Sequence, residues 1–255
     1  MDEIFHFPFL TGLLLAALLP VLGNLLRLRD EWLAALGLAH LAAAGGLLAL
    51  ACALPVMAGA ISGALLGVAG KSGRAGRSNS AYAVMVLAGW SAGMLLAANS
   101  AVGEALAHAV VDGQLYFSGH GELLASAGLA CIVWPALRWL TPRLIAGRLM
   151  PAQEKASAKA AWRWHLGFDI LVALAVAIAT ACVGLMASFA LLFIPSWLAF
   201  SRARNWRQTN LLASAISVLA YLAAFFLALH FDQPFGPTLC ALLVLLLPLV
   251  GMGKK

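Results

Sequence analysis

Histidine and carboxylate side chains hold most of the ligand chemistry available to this chain, and one of them stands inside an apolar run. His40 lies about 8 residues, or roughly 12 Å, into WLAALGLAHLAAAGGLLALA, near the middle of any bilayer this run crosses. An ionisable group at that depth is costly and points to function. Neutral imidazole is also a good ligand for zinc, manganese or iron. The competing reading is a histidine hydrogen-bonded between helices for structural reasons alone.

A second set lies outside the apolar runs, in SAVGEALAHAVVDGQLYFSGHG and near residue 232. His108, Asp112, His120, Glu122 and Asp232 are of the types that hold a divalent cation or meet the basic rim of a docking protein. Glu104, His108 and Asp112 are spaced i, i+4, i+8, so a helix would align them on one face. No Lys or Arg in the segment neutralises them. A solvated polar loop would have the same composition, and neither C-x-x-C nor H-E-x-x-H spacing is present. Cys52, Cys131, Cys182 and Cys240 lie in or beside apolar runs and read as small packing residues. There is no P-loop, no G-x-S-x-G and no kinase set, so the chain is expected to catalyse no reaction and to hold no permanent cofactor.

The elements that position these residues are membrane helices. The chain is 63% apolar and 10% charged over 255 residues, far from soluble composition. Spans are expected at about 8–26, 32–51, 53–70, 80–99, 122–140, 167–182, 184–201, 208–230 and 236–251, an all-α polytopic fold of eight or nine helices in one domain, 1–255. With nine spans, all 16 Lys and Arg fall on one side. The positive-inside rule makes that side the cytoplasm, with the N-terminus outside and the C-terminus inside. The net charge of +6 thus reports topology and lipid contact, not nucleic acid. MDEIFHFPF has no basic n-region, so the first helix is expected to be retained.

Residues 167–201 form about 35 apolar residues, too long for one span. A break near Gly184 gives two spans and keeps the Arg202, Arg204 and Arg207 cluster on the basic side. Pro195 lies inside the second of them, where it deprives the Leu191 carbonyl of its helical partner. A bend there should face other helices or a pathway. Asp169 begins the sixth span, where a carboxylate complements a helix N-terminus. Trp139, Trp162, Trp164 and Trp206 border the basic side as an aromatic belt. Residues 150–165 read as an amphipathic inner helix that lies on the membrane or docks on a soluble partner; residues 100–121 form the one sizeable outer loop.

Val183, Gly184, Leu191, Leu192, Ile194, Pro195 and Ala199 spell V-G-x-x-x-x-x-x-L-L-x-I-P with its following alanine. This stretch resembles the third-last helix of the zinc, manganese and iron ABC-importer permeases, the ABC-3 family. Leu38-Ala39-His40 is similar to the end of that family's G-D-x-L-A-H, after the arginine pair Arg27 and Arg29. Asp232 to Pro237 is similar to its D-x-P-x-G-P, placing Gly236 and Pro237 at the start of the last helix. Leu115-Tyr116-Phe117 through Glu122-Leu123-Leu124 resembles a loosened L-F-G-D-L-L.

The resemblance implies a homodimeric or pseudo-dimeric pore in a bacterial inner membrane. Cytoplasmic ABC ATPases would use the ATP, and an extracytoplasmic solute-binding protein would deliver a divalent metal as substrate. It implies His40 as a pathway ligand. It also implies that Glu154, Lys155 and Ala158 belong to the ATPase-coupling segment. Leu36 stands where the family has aspartate, and Trp162 near a family glycine. Loss of that carboxylate leaves open a bare ion, a chelated metal or another cargo. A stand-alone proton-coupled carrier is the rival from a different class, though no carboxylate of the sequence falls at mid-membrane depth in the expected spans.

Overall fold

The computed structural model describes residues 5–72, 78–99, 113–150, 152 and 158–248. Among them are nine α-helices: α1 His6–Leu28, α2 Trp32–Ala51, α3 Val56–Ser72, α4 Asn79–Ala98, α5 His120–Leu149, α6 Ala158–Val183, α7 Leu185–Arg202, α8 Trp206–His230 and α9 Phe235–Leu245. In hydrocarbon every backbone N–H and C=O needs a partner within the segment, so apolar runs of this length fold as helices. Seven have the length and hydropathy to cross a membrane; α3 and α9 are shorter, at 17 and 11 described residues.

Helix ends sort into two groups. At one end the C-termini of α1 and α3 meet the first half of α6 through Arg29, Lys71 and Asp169, and the C-terminus of α5 meets the α1–α2 connection through Arg148 and Asp30. At the other, Phe7 of α1 packs on His120 of α5 and Tyr116 packs on Phe235 of α9. The first end carries the described basic clusters, so the sorting of charge along the sequence is also a sorting in space.

α6 is the centre of the molecule. Phe168, Val172, Ala173, Val176, Ala177 and Ala179 are all at most 1% exposed. It packs against α3, α2, α5, α7 and α1. α4 and α5 are peripheral, with Leu87, Trp90, Leu124 and Trp134 exposed for lipid or a further protein surface.

The glycine-rich runs make α2 and α3 touch along their backbones. A Cβ built on Gly59 would lie 2.2 Å from the Gly45 carbonyl oxygen, so only glycine allows that approach. α6 and α7 divide at Gly184, whose φ of 94° is open to glycine and strained for other residues. α7 stays helical through Pro195, which is buried, and the Ser196 hydroxyl next to it donates 2.9 Å to the Pro20 carbonyl of α1.

Two boundaries differ from the sequence reading. α5 continues to Leu149, well past the expected end near 140. Residues 158–165 form no separate surface helix; they are the first turns of α6, because nothing between Ala158 and Asp169 interrupts helical backbone.

Candidate substrate pathway

α2 is buried on almost every face, and His40 sits within it at 7% exposure. Its Nδ1 lies 2.9 Å from the Leu36 carbonyl oxygen. A carbonyl only accepts, so Nδ1 carries a proton, which in the neutral imidazole leaves the lone pair on Nε2. This is the arrangement that presents a histidine as a metal ligand, with the backbone fixing ring and tautomer.

Behind His40, Gly89 of α4 lies against its backbone: a Cβ there would be 2.6 Å from the His40 carbonyl carbon. The close approach of α4 leaves a cleft of about 290 Å3 between α2, α4 and the start of α7. His40 forms part of its wall, with Leu47, Trp90, Met94, Leu185 and Met186 further along. Those residues lie towards the end that carries Gly184, so the cleft runs from the aromatic end of the molecule inwards to His40. Its walls are apolar, and the polar side-chain atoms further along it are the thioether sulfurs of Met94 and Met186, which have lone pairs, and the Trp90 indole N–H, which only donates a proton. Among the described residues no three His, Cys, Asp or Glu side chains gather around a metal-sized point.

The other expected contacts are dispersed. His120 is exposed at the first turn of α5, its ring 4.0 Å from that of Phe7. Glu122 turns back on its own helix: Oε2 accepts from the Gly119 N–H at 2.8 Å, which caps α5. Asp232 is exposed in the α8–α9 turn at φ 51° and borders an outer cleft of about 350 Å3 with Tyr116, Phe117 and Gln233. Burial raises the Tyr116 hydroxyl to about 12. Gly236 is buried and Pro237 exposed in the first turn of α9. His108, Asp112, Glu154 and Lys155 lie outside the described residues, and Ala158 is the first described residue of α6.

The strongest electrostatic feature escaped the sequence reading. Arg29, Glu31, Lys71 and Asp169 form a closed ring of alternating charge. Arg29 lies 2.6 Å from Glu31 and 3.1 Å from Asp169, and Lys71 lies 2.7 Å from each of the same two carboxylates. All four side chains are at most 8% exposed. Asp169 is therefore no helix-start charge: α6 begins about three turns earlier, and the carboxylate faces two cations deep between helices. Aromatic faces flank the cations, with Arg29 4.9 Å from the Phe168 ring centre and Lys71 5.6 Å from that of Tyr82. The signal in the sequence was the acids Glu31 and Asp169 on the basic side, within or beside apolar runs that force any charge to find a partner. Trp139 and Trp164 are likewise more than a belt, since they hold Arg143 at 4.1 and 4.6 Å from their ring centres and so join α5 to α6.

No curated protein sequence matches the chain. Among solved structures it is similar to PsaBC from Streptococcus pneumoniae in complex with Fab, at 17% identity and a TM-score of 0.84, covering 100% of this chain and 92% of that one. It is also similar, at 21% identity and a TM-score of 0.70, to an inward-facing structure of a transporter assigned to the metal-chelate type of ABC transporter, covering 97% and 84%. These likenesses share the fold. The model of the ABC 3 transport family matches residues 1–253, nearly the whole chain, so this multi-pass membrane protein belongs to the ABC 3 transport family as a transport subunit whose ATPase is a separate polypeptide.

Proposed function

We propose that this chain is the permease of a metal importer, with His40 as the ligand that meets cargo inside the membrane. The observation that carries this is the free Nε2 of a tautomer-fixed histidine in the wall of a cleft that runs inwards from the aromatic end. That end is extracytoplasmic, with the N-terminus outside and the C-terminus inside, because the basic residues collect at the other. Family membership removes the stand-alone carrier as a rival.

One imidazole does not complete a metal's coordination. A second copy of the chain would bring a second His40, and the exposed apolar face of α4 is available for that contact. A solute-binding protein would hand over cargo at the outer surface around His120 and Asp232, joined by His108 and Asp112. Residues 150–165, with Glu154, Lys155 and Ala158, would meet the ATPase.

A second reading has its own support. The cleft is apolar, has no carboxylate among the described residues of its wall, and at about 290 Å3 is larger than a bare ion needs. Leu36, one helical turn from His40, offers only its carbonyl. These features suit a chelated metal whose organic shell faces the apolar wall.

The test is ATP-dependent uptake by the permease–ATPase complex with its binding protein in liposomes. Zinc, manganese and ferrous iron are compared, bare and chelated, for the natural protein and His40→Ala. Uptake of one bare ion that collapses in the variant supports the first reading. Uptake confined to a chelate supports the second. Full transport by His40→Ala would refute the assignment of His40 to the pathway.

A further inference from the structure

We infer that the Arg29–Glu31–Lys71–Asp169 ring is the linkage that makes α6 and α2 move as one body, transmitting the ATPase stroke to the helix that carries His40. This rests on the reading of residues 150–165 as the ATPase-facing segment.

The segment begins after α5, which ends at Leu149, and includes the first turns of α6, which starts at Ala158. Arg143, held between Trp139 and Trp164, ties the two helices together at its α6 end. Five residues further along α6 comes Asp169, within 3.1 Å of Arg29 and 2.7 Å of Lys71. Arg29 and Glu31 belong to the connection that leads directly into α2 at Trp32. A displacement of α6 is therefore applied to the first turn of α2, and His40 lies about two and a half turns further on the same helix.

The connection is built for this. Asp30 takes a positive φ of 56°, which lets its two neighbours point inwards while its own carboxylate reaches out to Arg148 of α5. Three successive charged residues thus contact α5, α6 and α3 at once. Helix packing by apolar side chains alone permits sliding, whereas separating this ring would bare buried charges. The ring resists separation and is indifferent to movement of the whole, which is what a transmission element requires. Arg29, Glu31, Lys71 and Asp169 are positioning residues in this account and touch no cargo.

Replacement of one ring member confuses linkage with stability, because it strands a buried charge. Lys71→Met with Asp169→Leu avoids this, since Arg29 and Glu31 remain paired at 2.6 Å while the ties to α3 and α6 are cut. In the complete permease–ATPase complex, the paired variant is expected to fold and hydrolyse ATP while metal taken up per ATP falls about tenfold. Lys71→Arg, which keeps the charge, is expected to retain coupling. Spin labels at Leu48 on α2 and Ile170 on α6, in a cysteine-replaced background, should keep one separation with and without ATP in the otherwise natural protein. In the paired variant that separation should change on ATP binding.

Natural uptake per ATP in the paired variant, or a separation that changes with nucleotide in the unaltered ring, would overturn the linkage. The label measurement needs no cargo and no paired variant. Failure of the natural complex to take up any metal would therefore count against the proposed function and leave the linkage to be decided by the labels.

Discussion

Gly89 and His40 are in backbone contact: a Cβ on Gly89 would stand 2.6 Å from the His40 carbonyl carbon and 2.7 Å from its Cβ. The histidine is thus fixed from behind by a helix crossing and from its own helix by the Leu36 carbonyl. Gly89→Val should force α4 off α2 at this point. Overpacking of this kind costs about 1–3 kcal/mol. Uptake should fall with the melting temperature, because the wall of the cleft moves with α4. A variant that melts lower but transports normally would show that cargo does not depend on the α2–α4 spacing.

The ring makes a separate prediction about stability. Lys71→Met alone leaves Glu31 and Asp169 buried with Arg29 as the remaining cation of the ring. Removal of one partner from a buried ion cluster costs about 3–5 kcal/mol. Adding Asp169→Leu should recover most of that loss, since replacing a buried pair by apolar groups is often close to neutral. Thermal unfolding of the purified permease in detergent compares the two. A double variant less stable than Lys71→Met would contradict the charge-balance account.

Much of the architecture was legible because membranes simplify the problem. Apolar length locates helices, and basic residues sort their ends, so even the division at Gly184 followed from a run too long for one crossing. His40 stood out for the same reason, as an ionisable group at depth. The cleft did not, since it depends on Gly89 at 49 positions' remove and on the start of α7. The ring was hidden by that success. As topology markers Arg29 and Lys71 need no further explanation, and nothing local announces that Asp169 lies 98 positions from its partner Lys71. Glu122 shows the converse: a carboxylate beside a histidine in an outer loop looks like a ligand until its oxygen is found capping a helix.

That capping role is testable. Glu122→Ala removes the 2.8 Å bond from the Gly119 N–H at the start of α5. The loss should be about 1 kcal/mol, the usual value of one such bond. The concentration of metal or of binding protein that half-saturates uptake should stay unchanged. A marked rise in either would return Glu122 to the cargo route.

Tyr116 gives a prediction in pH. Its hydroxyl is raised from 10.0 to about 12 by burial, among the rings of Phe5, Phe225 and Phe235. The folded state therefore holds its proton more tightly than the unfolded chain does. The stability linked to that proton is complete below about pH 10 and is lost as pH rises through about 12. Unfolding temperature should fall across this window, and Tyr116→Phe, which cannot ionise, should fall less steeply. The phenylalanine variant also loses the 3.4 Å contact from the hydroxyl to the Phe225 carbonyl, so it should begin slightly less stable at neutral pH. Parallel curves for the two proteins above pH 10 would mean that Tyr116 ionises as freely in the fold as outside it.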